Sequence, residues 1–218
     1  LAKPSKPDAA PLSAKSIKNI HGVLHKALKQ AVLIGYLRTN PTEACILPRI
    51  IRKEMHPLEE DQVAVFLREV QGHPHEYLYK IALFTGLREG EVLGLGWEHI
   101  DFQAGTLTVK RQLRREQKKG GEYYFSPPKN NKSRCLTLAP SVIQLFRLQK
   151  LEQNSMRMEA GDAWEEHGLI FTNQTGGYLS YRTVYDCFKR IIRNIGAPAT
   201  RFHDLRHTFA VASIKKRQ

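Results

Sequence analysis

The sequence predicts a mainly α-helical fold with one small antiparallel β-sheet, an α+β arrangement. Apolar residues recur at helical spacing before about residue 95 and again after about residue 141. Between these segments, from Thr106 to Thr137, apolar and polar residues alternate, which is typical of half-buried strands. The alternation is interrupted at Gly120-Gly121 and Asn130-Asn131, pairs that favour tight turns. These patterns predict two or three antiparallel strands between two groups of helices.

Capping residues mark where the helices begin and end. The first helix begins at Ser13, whose side chain can cap it, and ends at Gly35. A second, short helix opens at Asn40-Pro41 and ends before Pro48. The remaining helices are predicted over about 59–70, 74–84, 89–95, 141–158 and 180–195, and from Phe202 onwards.

The charge balance of the chain is strongly basic. It has 34 Lys and Arg against 21 Asp and Glu, a net charge of +13, while an ordinary 41% of its residues are hydrophobic. Such a charge attracts polyanions, and nucleic acid is the commonest of these. An acidic membrane surface is the alternative, but no stretch reaches the roughly 18 apolar residues that a membrane-spanning helix needs. We therefore expect a nucleic acid partner and no membrane.

Cysteine usage and the first residues indicate the compartment. Cys45, Cys135 and Cys187 are scattered, which fits a reducing environment and argues against a disulfide framework or a cysteine-based zinc site. Residues 1–12 are polar and proline-rich and are interpreted as a tail or linker. They lack the apolar core of a signal peptide and do not begin with Met, so we expect a fragment of a longer protein.

The chain is expected to contain two domains after this tail. Residues 1–52 carry nine basic and two acidic residues, so 13–52 is interpreted as part of a small basic helical domain. Lys18 and Lys26 are its candidate DNA contacts. Two helices alone bury little surface, so this domain either lacks chain upstream or leans on its neighbour. A larger domain then covers 53–218.

Three motifs in the larger domain carry candidate chemistry: Thr85–Leu93 (TGLREGEVL), Pro128–Arg134 (PKNNKSR) and Phe202–Thr208 (FHDLRHT). Reaction at a phosphodiester needs cations on the non-bridging oxygens, and the planar fork of arginine matches two of them. It also needs an acid for the leaving oxygen and a group that handles the proton of the nucleophile. Two arginines, a lysine and a histidine would supply these functions without a metal.

Each of these residues also has an ordinary structural explanation. Arg88 could satisfy carbonyls at a helix end, and Arg206 could be a surface ion-pair partner. The lysines of the second motif could be charges on a hairpin tip, and His203 a residue at a helix start. Glu91 could form a simple i,i+3 pair with Arg88, or buttress it for phosphate, and both can hold.

Taken together, the three motifs closely resemble the catalytic domain of tyrosine recombinases, in order and in separation. The resemblance covers about 53–218, and residues 13–50 look like the tail of that family's core-binding domain. It implies that Arg88 and Arg206 clamp the scissile phosphate and that His203 assists proton transfer from the nucleophile. Lys129 would protonate the 5′-oxygen leaving group, with Lys132 as second choice. Glu91 and His207 would support this site.

The family pattern breaks off at the end of the chain. Members of the family continue with a further motif and then a nucleophilic tyrosine, whereas here all eight tyrosines precede His203. We therefore expect no nucleophile in this chain and a C-terminally incomplete catalytic domain that does not cleave DNA by itself. The resemblance also implies double-stranded DNA as partner, a homotetramer on paired sites for the full-length protein and an accessory directionality factor. It implies no cofactor and no metal, and the cytoplasm of a prokaryotic cell, at the nucleoid.

Two other classes of function stay open at this point. A non-catalytic DNA-binding module would share the basic surface. A metal-dependent hydrolase would use His203 and His207, whose i,i+4 spacing resembles that of metal ligands on a helix. In that pattern a glutamate follows the first histidine, whereas here Asp204 does, and we expect Asp204 to cap the helix instead.

A basic run at 110–119 holds six basic residues and one acidic residue. Such a run is either a solvated hairpin or a set of contacts to DNA phosphates, which fix register without reading sequence. The candidate contacts are Lys110, Arg111, Arg114, Arg115 and, further along, Lys132. The neighbouring pair Tyr123-Tyr124 is expected to pack on the sheet.

Overall fold

The computed structural model describes residues 11–51, 54–118, 120–128 and 131–215. The chain forms two compact units, one that ends at Glu54 and one that begins at Met55. The predicted fold class is confirmed, since the chain is mostly helical with small antiparallel sheets.

The first unit consists of one long helix and one short 3-10 turn. Helix α1 (Ala14–Leu33) begins where predicted, because the Ser13 hydroxyl accepts the Ser16 N–H at 3.1 Å. The predicted second helix is only a 3-10 turn, Pro41–Ala44. The side chains of His21 and His25 hold this turn on α1 through hydrogen bonds of 3.0 and 2.9 Å to Thr42.

The second unit contains all other regular elements of the described chain. Its helices are α2 (Glu60–Glu69), α3 (Glu76–Thr85), α4 (Glu89–Leu93), α5 (Pro140–Ala160), α6 (Tyr181–Asn194) and α7 (Phe202–Lys215). Its strands are β1 (Ile100–Asp101), β2 (Thr106–Val109), β3 (Gln112–Arg115), β4 (Tyr123–Ser126) and β5 (Arg134–Thr137).

The strands form two antiparallel sheets, and the prediction of two or three strands was too low. One sheet has the order β1-β2-β5, with Leu107 opposite Leu136 and Val109 opposite Arg134. The other is a two-stranded ribbon of β3 and β4. Strand β1 has two residues, which is too short for a period to appear. Strand β3 has a mostly polar sequence and was not predicted, because Leu113 is its one buried residue.

The core of the second unit is built around α3, whose inner residues are almost all buried. Tyr79 lies at its centre and donates a hydrogen bond from its hydroxyl to the Val184 carbonyl at 2.8 Å. Phe66, Phe188 and Phe202 surround its ring with centroid distances of 6.0 to 6.4 Å. These contacts hold α2, α6 and α7 against α3, and they fix the first turn of α7 beside the end of α3.

No helix among the described residues combines the length and the apolar character needed to cross a bilayer.

Candidate active site

The site forms where α3 ends, because the chain turns there and α7 passes close by. Gly86 ends α3 in the left-handed conformation, with φ at 61°. Its carbonyl accepts a hydrogen bond from Arg206 Nη1 at 2.6 Å. A Cβ atom at this position would lie 2.6 Å from Cδ1 of Phe209 on α7. A glycine is thus required both for the turn and for the approach of the helix that carries Arg206.

Arg88 follows directly, at the N-cap of the short helix α4, and Glu91 lies one turn further on. The Glu91 carboxylate is almost completely buried, with 1% of its side chain exposed. It accepts Arg88 Nη1 at 2.9 Å and the Arg88 backbone N–H at 2.9 Å. The predicted ion pair between the two residues is therefore present, and it also orients the guanidinium.

A third arginine, which the sequence interpretation did not assign a role, shares the same carboxylate. Arg134, at the start of β5, donates from Nη1 and Nη2 to the two oxygens of Glu91 at 2.9 and 2.6 Å. Burial opposes ionisation of Glu91, but hydrogen bonds from Arg134 and Arg88 outweigh it and lower the pKa of Glu91 to about 2. One permanently ionised carboxylate thus balances one of the two arginines it holds.

The cluster keeps an excess of positive charge that faces solvent. The side chains of Arg88 and Arg134 are 35% and 32% exposed, and Arg206 is half-buried. Burial, followed by the charges of Arg88 and Arg134, lowers the pKa of Arg206. Repulsion of this kind is relieved by a bound anion, and guanidinium groups match the geometry of a phosphate. The arrangement can therefore hold a phosphodiester.

The two histidines of α7 lie beside this cluster. His203 is exposed on the first turn, and its ring and the ring of His207 form a T-shaped contact with a centroid distance of 5.1 Å. Partial burial, then the positive charges of His207 and Arg206, lower the pKa of His203. At neutral pH the ring is thus mainly neutral and able to accept a proton.

Asp204 lies between the two histidines in sequence but points elsewhere. It is fully buried and accepts the backbone N–H and the guanidinium of Arg201 at 2.9 to 3.0 Å. This contact caps α7, as predicted. Within the part of the chain that the structure describes, no group of three or more His, Cys, Asp or Glu residues could hold a metal ion.

Of the two lysines that the sequence offers as the general acid, one lies outside the described residues. Lys129 is not among them, and Lys132 is exposed in the loop between β4 and β5. In that loop Asn131 adopts a left-handed conformation with φ at 52°, and its N–H donates to the Pro128 carbonyl at 2.8 Å. Asn131 therefore has the conformation of a turn residue, while Asn130, the other residue of the predicted turn, lies outside the described residues.

With this geometry in place, comparison with known proteins decides the family. Residues 53–217 match the Phage integrase family. The chain belongs to the phage integrase family. It is 28% identical over 214 residues to a XerC-like tyrosine recombinase of Caldanaerobacter subterraneus subsp. tengcongensis, covering 91% of this chain and 55% of that protein. It is also 28% identical to an integrase of Streptomyces ambofaciens, over 92% of this chain and 53% of the relative.

Solved structures share the fold of this integrase-family chain. The Tn1549 transposon integrase in complex with transposon right end DNA superposes with a TM-score of 0.79 at 24% identity, covering 95% of this chain and 69% of that one. A λ integrase dimer bound to a core site gives 0.56 at 20% identity, over 90% of this chain and 51% of that one. The expected resemblance to tyrosine recombinases is confirmed. The chain spans about half the length of the curated relatives it matches.

The basic residues predicted to contact DNA divide into two groups. Arg111 is used internally: it donates to the Gly94 carbonyl and to Glu98, both at 3.0 Å, and stacks on the Phe125 ring. Arg115 is exposed, but its Nε donates to the Gly121 carbonyl at 2.8 Å. The other candidates have exposed or half-buried side chains and no ion pair within the described chain; they are Lys18, Lys26, Lys110, Arg114 and Lys132.

The tyrosine pair of β4 is split between two environments. Tyr123 stacks on Tyr178 with a centroid distance of 5.2 Å, so it packs as predicted. Tyr124 is 45% exposed and lies opposite Arg114 on the other face of the ribbon, which corrects the prediction for that residue. Successive side chains of a strand point to opposite faces, so both neighbours could not pack inward.

Proposed function

We propose that the full-length protein is a tyrosine-type site-specific recombinase that breaks and rejoins double-stranded DNA through a 3′-phosphotyrosine intermediate. The observation that supports this most directly is the meeting of Arg88 and Arg206 at the end of α3, where Glu91 and the Gly86 carbonyl hold them. Two oriented and partly exposed guanidinium groups stabilise the charge that develops on the non-bridging oxygens of a phosphodiester.

In the proposed reaction, the hydroxyl of a tyrosine attacks the scissile phosphorus. A bond forms between the tyrosine oxygen and phosphorus, and the bond to the 5′-oxygen breaks. Lys129 gives its proton to the departing 5′-oxygen, with Lys132 as the second candidate, and His203 takes part in moving the tyrosine's proton. His207 supports His203 from the next turn of α7.

The attacking tyrosine is proposed to come from a part of the protein outside this chain. The eight tyrosines here, from Tyr36 to Tyr185, all precede His203. Two of them are committed to the fold, since the hydroxyls of Tyr79 and Tyr181 donate to backbone carbonyls. On this proposal the present chain binds DNA and the phosphate without cleaving it.

The proposed partners follow from the same reaction. They are double-stranded DNA, three further copies of the protein on paired sites, and an accessory factor that sets direction. The arginines and the lysine do the work of a metal ion, so no cofactor is proposed. The reaction would take place on the DNA of a prokaryotic cell, in the cytoplasm at the nucleoid.

The test is the chemistry of the product. The full-length protein is incubated, in the presence of EDTA, with a labelled duplex that it has selected from a randomised pool. We expect a protein–DNA adduct that survives denaturant, joined through a 3′-phosphate, and a free 5′-hydroxyl on the other product. Cleavage that needs a divalent cation and leaves no adduct would support a hydrolase instead, and stable binding without any cleavage would support a non-catalytic module.

A further inference from the structure

We infer that Arg134 is a positioning residue: it holds the Glu91 carboxylate in place, and Glu91 in turn holds Arg88 in the orientation that a phosphate requires. This inference rests on the proposed function. It assigns Arg134 no contact with the substrate, so it differs from the roles proposed for Arg88 and Arg206.

The contacts of Glu91 support this role. Arg134 approaches it end-on with both terminal nitrogens, at 2.9 and 2.6 Å, and so occupies both carboxylate oxygens. Arg88 reaches the same oxygens with one terminal nitrogen and its backbone N–H, each at 2.9 Å. Both terminal nitrogens of Arg134 are thus used on the carboxylate, whereas Arg88 keeps guanidinium donors that have no partner among the described residues and are available to an anion.

The place of Arg134 in the fold makes it suited to this task. It lies on β5, opposite Val109 of the neighbouring strand, and 43 residues after Glu91 in sequence. The backbone of β5 is held by its antiparallel pairing with β2, whereas α4 is only five residues long, and a helix of that length has little stability of its own. The contact therefore fixes the short helix that carries Glu91 to the three-stranded sheet.

The burial of Glu91 explains why one arginine is not enough. A carboxylate with 1% of its side chain exposed needs its lone pairs satisfied, or it moves towards solvent or towards whatever cation is near. Without Arg134, the remaining partner among the described residues is Arg88, which would be drawn fully onto the carboxylate. The guanidinium would then no longer be presented to a phosphate.

The experiment compares Arg134→Ala, Arg134→Lys and Arg88→Ala in the full-length protein, with the exposed Arg182→Ala on α6 as the matched control. Cleavage rate is measured on a normal duplex and on one with a neutral methylphosphonate at the scissile position. We expect both Arg134 variants to cleave the normal duplex about 10- to 100-fold more slowly, as expected for a misplaced catalytic group. Arg182→Ala should cleave normally, and DNA affinity should change less than threefold in all four.

The methylphosphonate substrate separates positioning from a general loss of structure. It lacks one charged oxygen, so a variant whose fault lies in the clamp should lose much less activity on it. We expect the deficit of Arg134→Ala to shrink on this substrate in parallel with that of Arg88→Ala. Equal deficits of Arg134→Ala on both substrates would overturn the inference. If the alanine variant does not fold, the lysine variant, which keeps the charge, gives the same comparison.

Two further outcomes distinguish this inference from the proposed function. Near-normal cleavage by Arg134→Lys would mean that Arg134 supplies charge rather than geometry, and would overturn the positioning role alone. In a Glu91→Gln background, Arg134→Ala should add less than a threefold further loss, because it acts through Glu91; an additive loss would also overturn it. Normal cleavage by Arg88→Ala would overturn both the inference and the proposed clamp.

Discussion

Glu89 and Glu91 lie two residues apart on α4, yet the structure shifts their pKa values in opposite directions. Burial raises the pKa of Glu89 to about 7, and within the described chain its Oε1 atom is buried without a hydrogen-bond partner. The Glu91 side chain is less exposed to solvent than that of Glu89, but two arginines lower its pKa to about 2. The difference between the two is the supply of cationic donors, and it leads to opposite dependences of stability on pH.

Glu91 stabilises the fold only while it is ionised. Its pKa of about 2 lies below the ordinary 4.5, so its contribution is complete above about pH 4.5 and is lost as the pH falls towards 2. We expect Glu91→Gln to reduce the free energy of unfolding at pH 7 by about 3 kcal/mol. Urea unfolding at several pH values should show that the difference in free energy of unfolding between variant and wild type decreases below about pH 4.5.

Glu89 should show the reverse behaviour. Its ionised form opposes folding, so the chain loses stability as the pH rises from 4.5 to about 7. We expect Glu89→Gln to have little effect at pH 4.5 and to stabilise the chain by at most about 3 kcal/mol above pH 7. Urea unfolding of this variant over the same pH range measures the change in stability. If the two glutamine variants followed the same pH trend, the assignment of their environments would be wrong.

At the residue scale, the sequence predicts those residues of the site that lie within one helical turn of another site residue. Arg88 and Glu91 share one helical turn, and His203 and Arg206 share another. Arg134 joins them only through tertiary packing. Its alternation with Leu136 on β5 and with Leu138 directly after the strand was the available signal. Glu89 gave no signal, because an acidic residue in the first turn of a helix is ordinarily exposed.

At the scale of elements, the β3–β4 ribbon rests directly on α4, the helix that carries Glu91. Gly90 and Gly94 face the backbone of Leu113 on β3. The Tyr181 hydroxyl of α6 donates to the Leu113 carbonyl, which holds the ribbon from a second side. A side chain on this face of α4 would therefore push the ribbon away.

A substitution at Gly94 tests this packing. A Cβ atom there would lie 2.7 Å from the Leu113 nitrogen and 3.0 Å from two backbone atoms of Gln112. We expect Gly94→Ala to lower the free energy of unfolding by about 1–3 kcal/mol, as for overpacking of a filled interior. Gly22→Ala on α1, with nothing within 4 Å of its Cβ, should instead be neutral or stabilising by up to about 1 kcal/mol. Thermal or urea unfolding of both variants decides it, and a neutral Gly94→Ala would show that the ribbon is free to move.

Most of the helices could be predicted from the sequence and strand β3 could not, for a physical reason. A helix that packs on a core shows several apolar residues per two turns, and Ser13 and Gly86 mark helix ends directly. Strand β3 buries only Leu113. Besides aromatic contacts such as Tyr123 on Tyr178, the ribbon packs through arginines, such as Arg111 on Phe125. A cation that packs on an aromatic ring looks, in sequence, like a solvated charge.

At the scale of the whole molecule, the net charge of +13 predicts strong dependence of DNA binding on salt. The affinity of this chain for duplex DNA should fall steeply as salt increases, with a slope in the log–log plot of about −0.9 for each phosphate neutralised. Anisotropy titrations at several salt concentrations measure it. A flat response would remove DNA phosphates as the partner of this charge.

The structure also predicts which cations contribute to that slope. Lys110 is exposed and has no ion pair in the described chain, whereas its neighbour Arg111 is engaged by Glu98 and Gly94. We expect Lys110→Ala to reduce the slope by about 1 without loss of stability. Arg111→Ala should leave the slope unchanged and lower the unfolding temperature. The reverse pattern would show that Arg111 releases its internal partners to bind DNA.

The measurement that tests the central proposal most directly is cleavage by clamp variants of the full-length protein. Losing one preorganised donor to a developing oxyanion costs about 10²- to 10³-fold in rate, so Arg88→Ala and Arg206→Ala should each slow adduct formation by about that factor. Their affinity for the same duplex should stay within about threefold of wild type, because many other phosphate contacts remain. Adduct formation at the wild-type rate in either variant, with binding unchanged, would contradict the phosphate clamp.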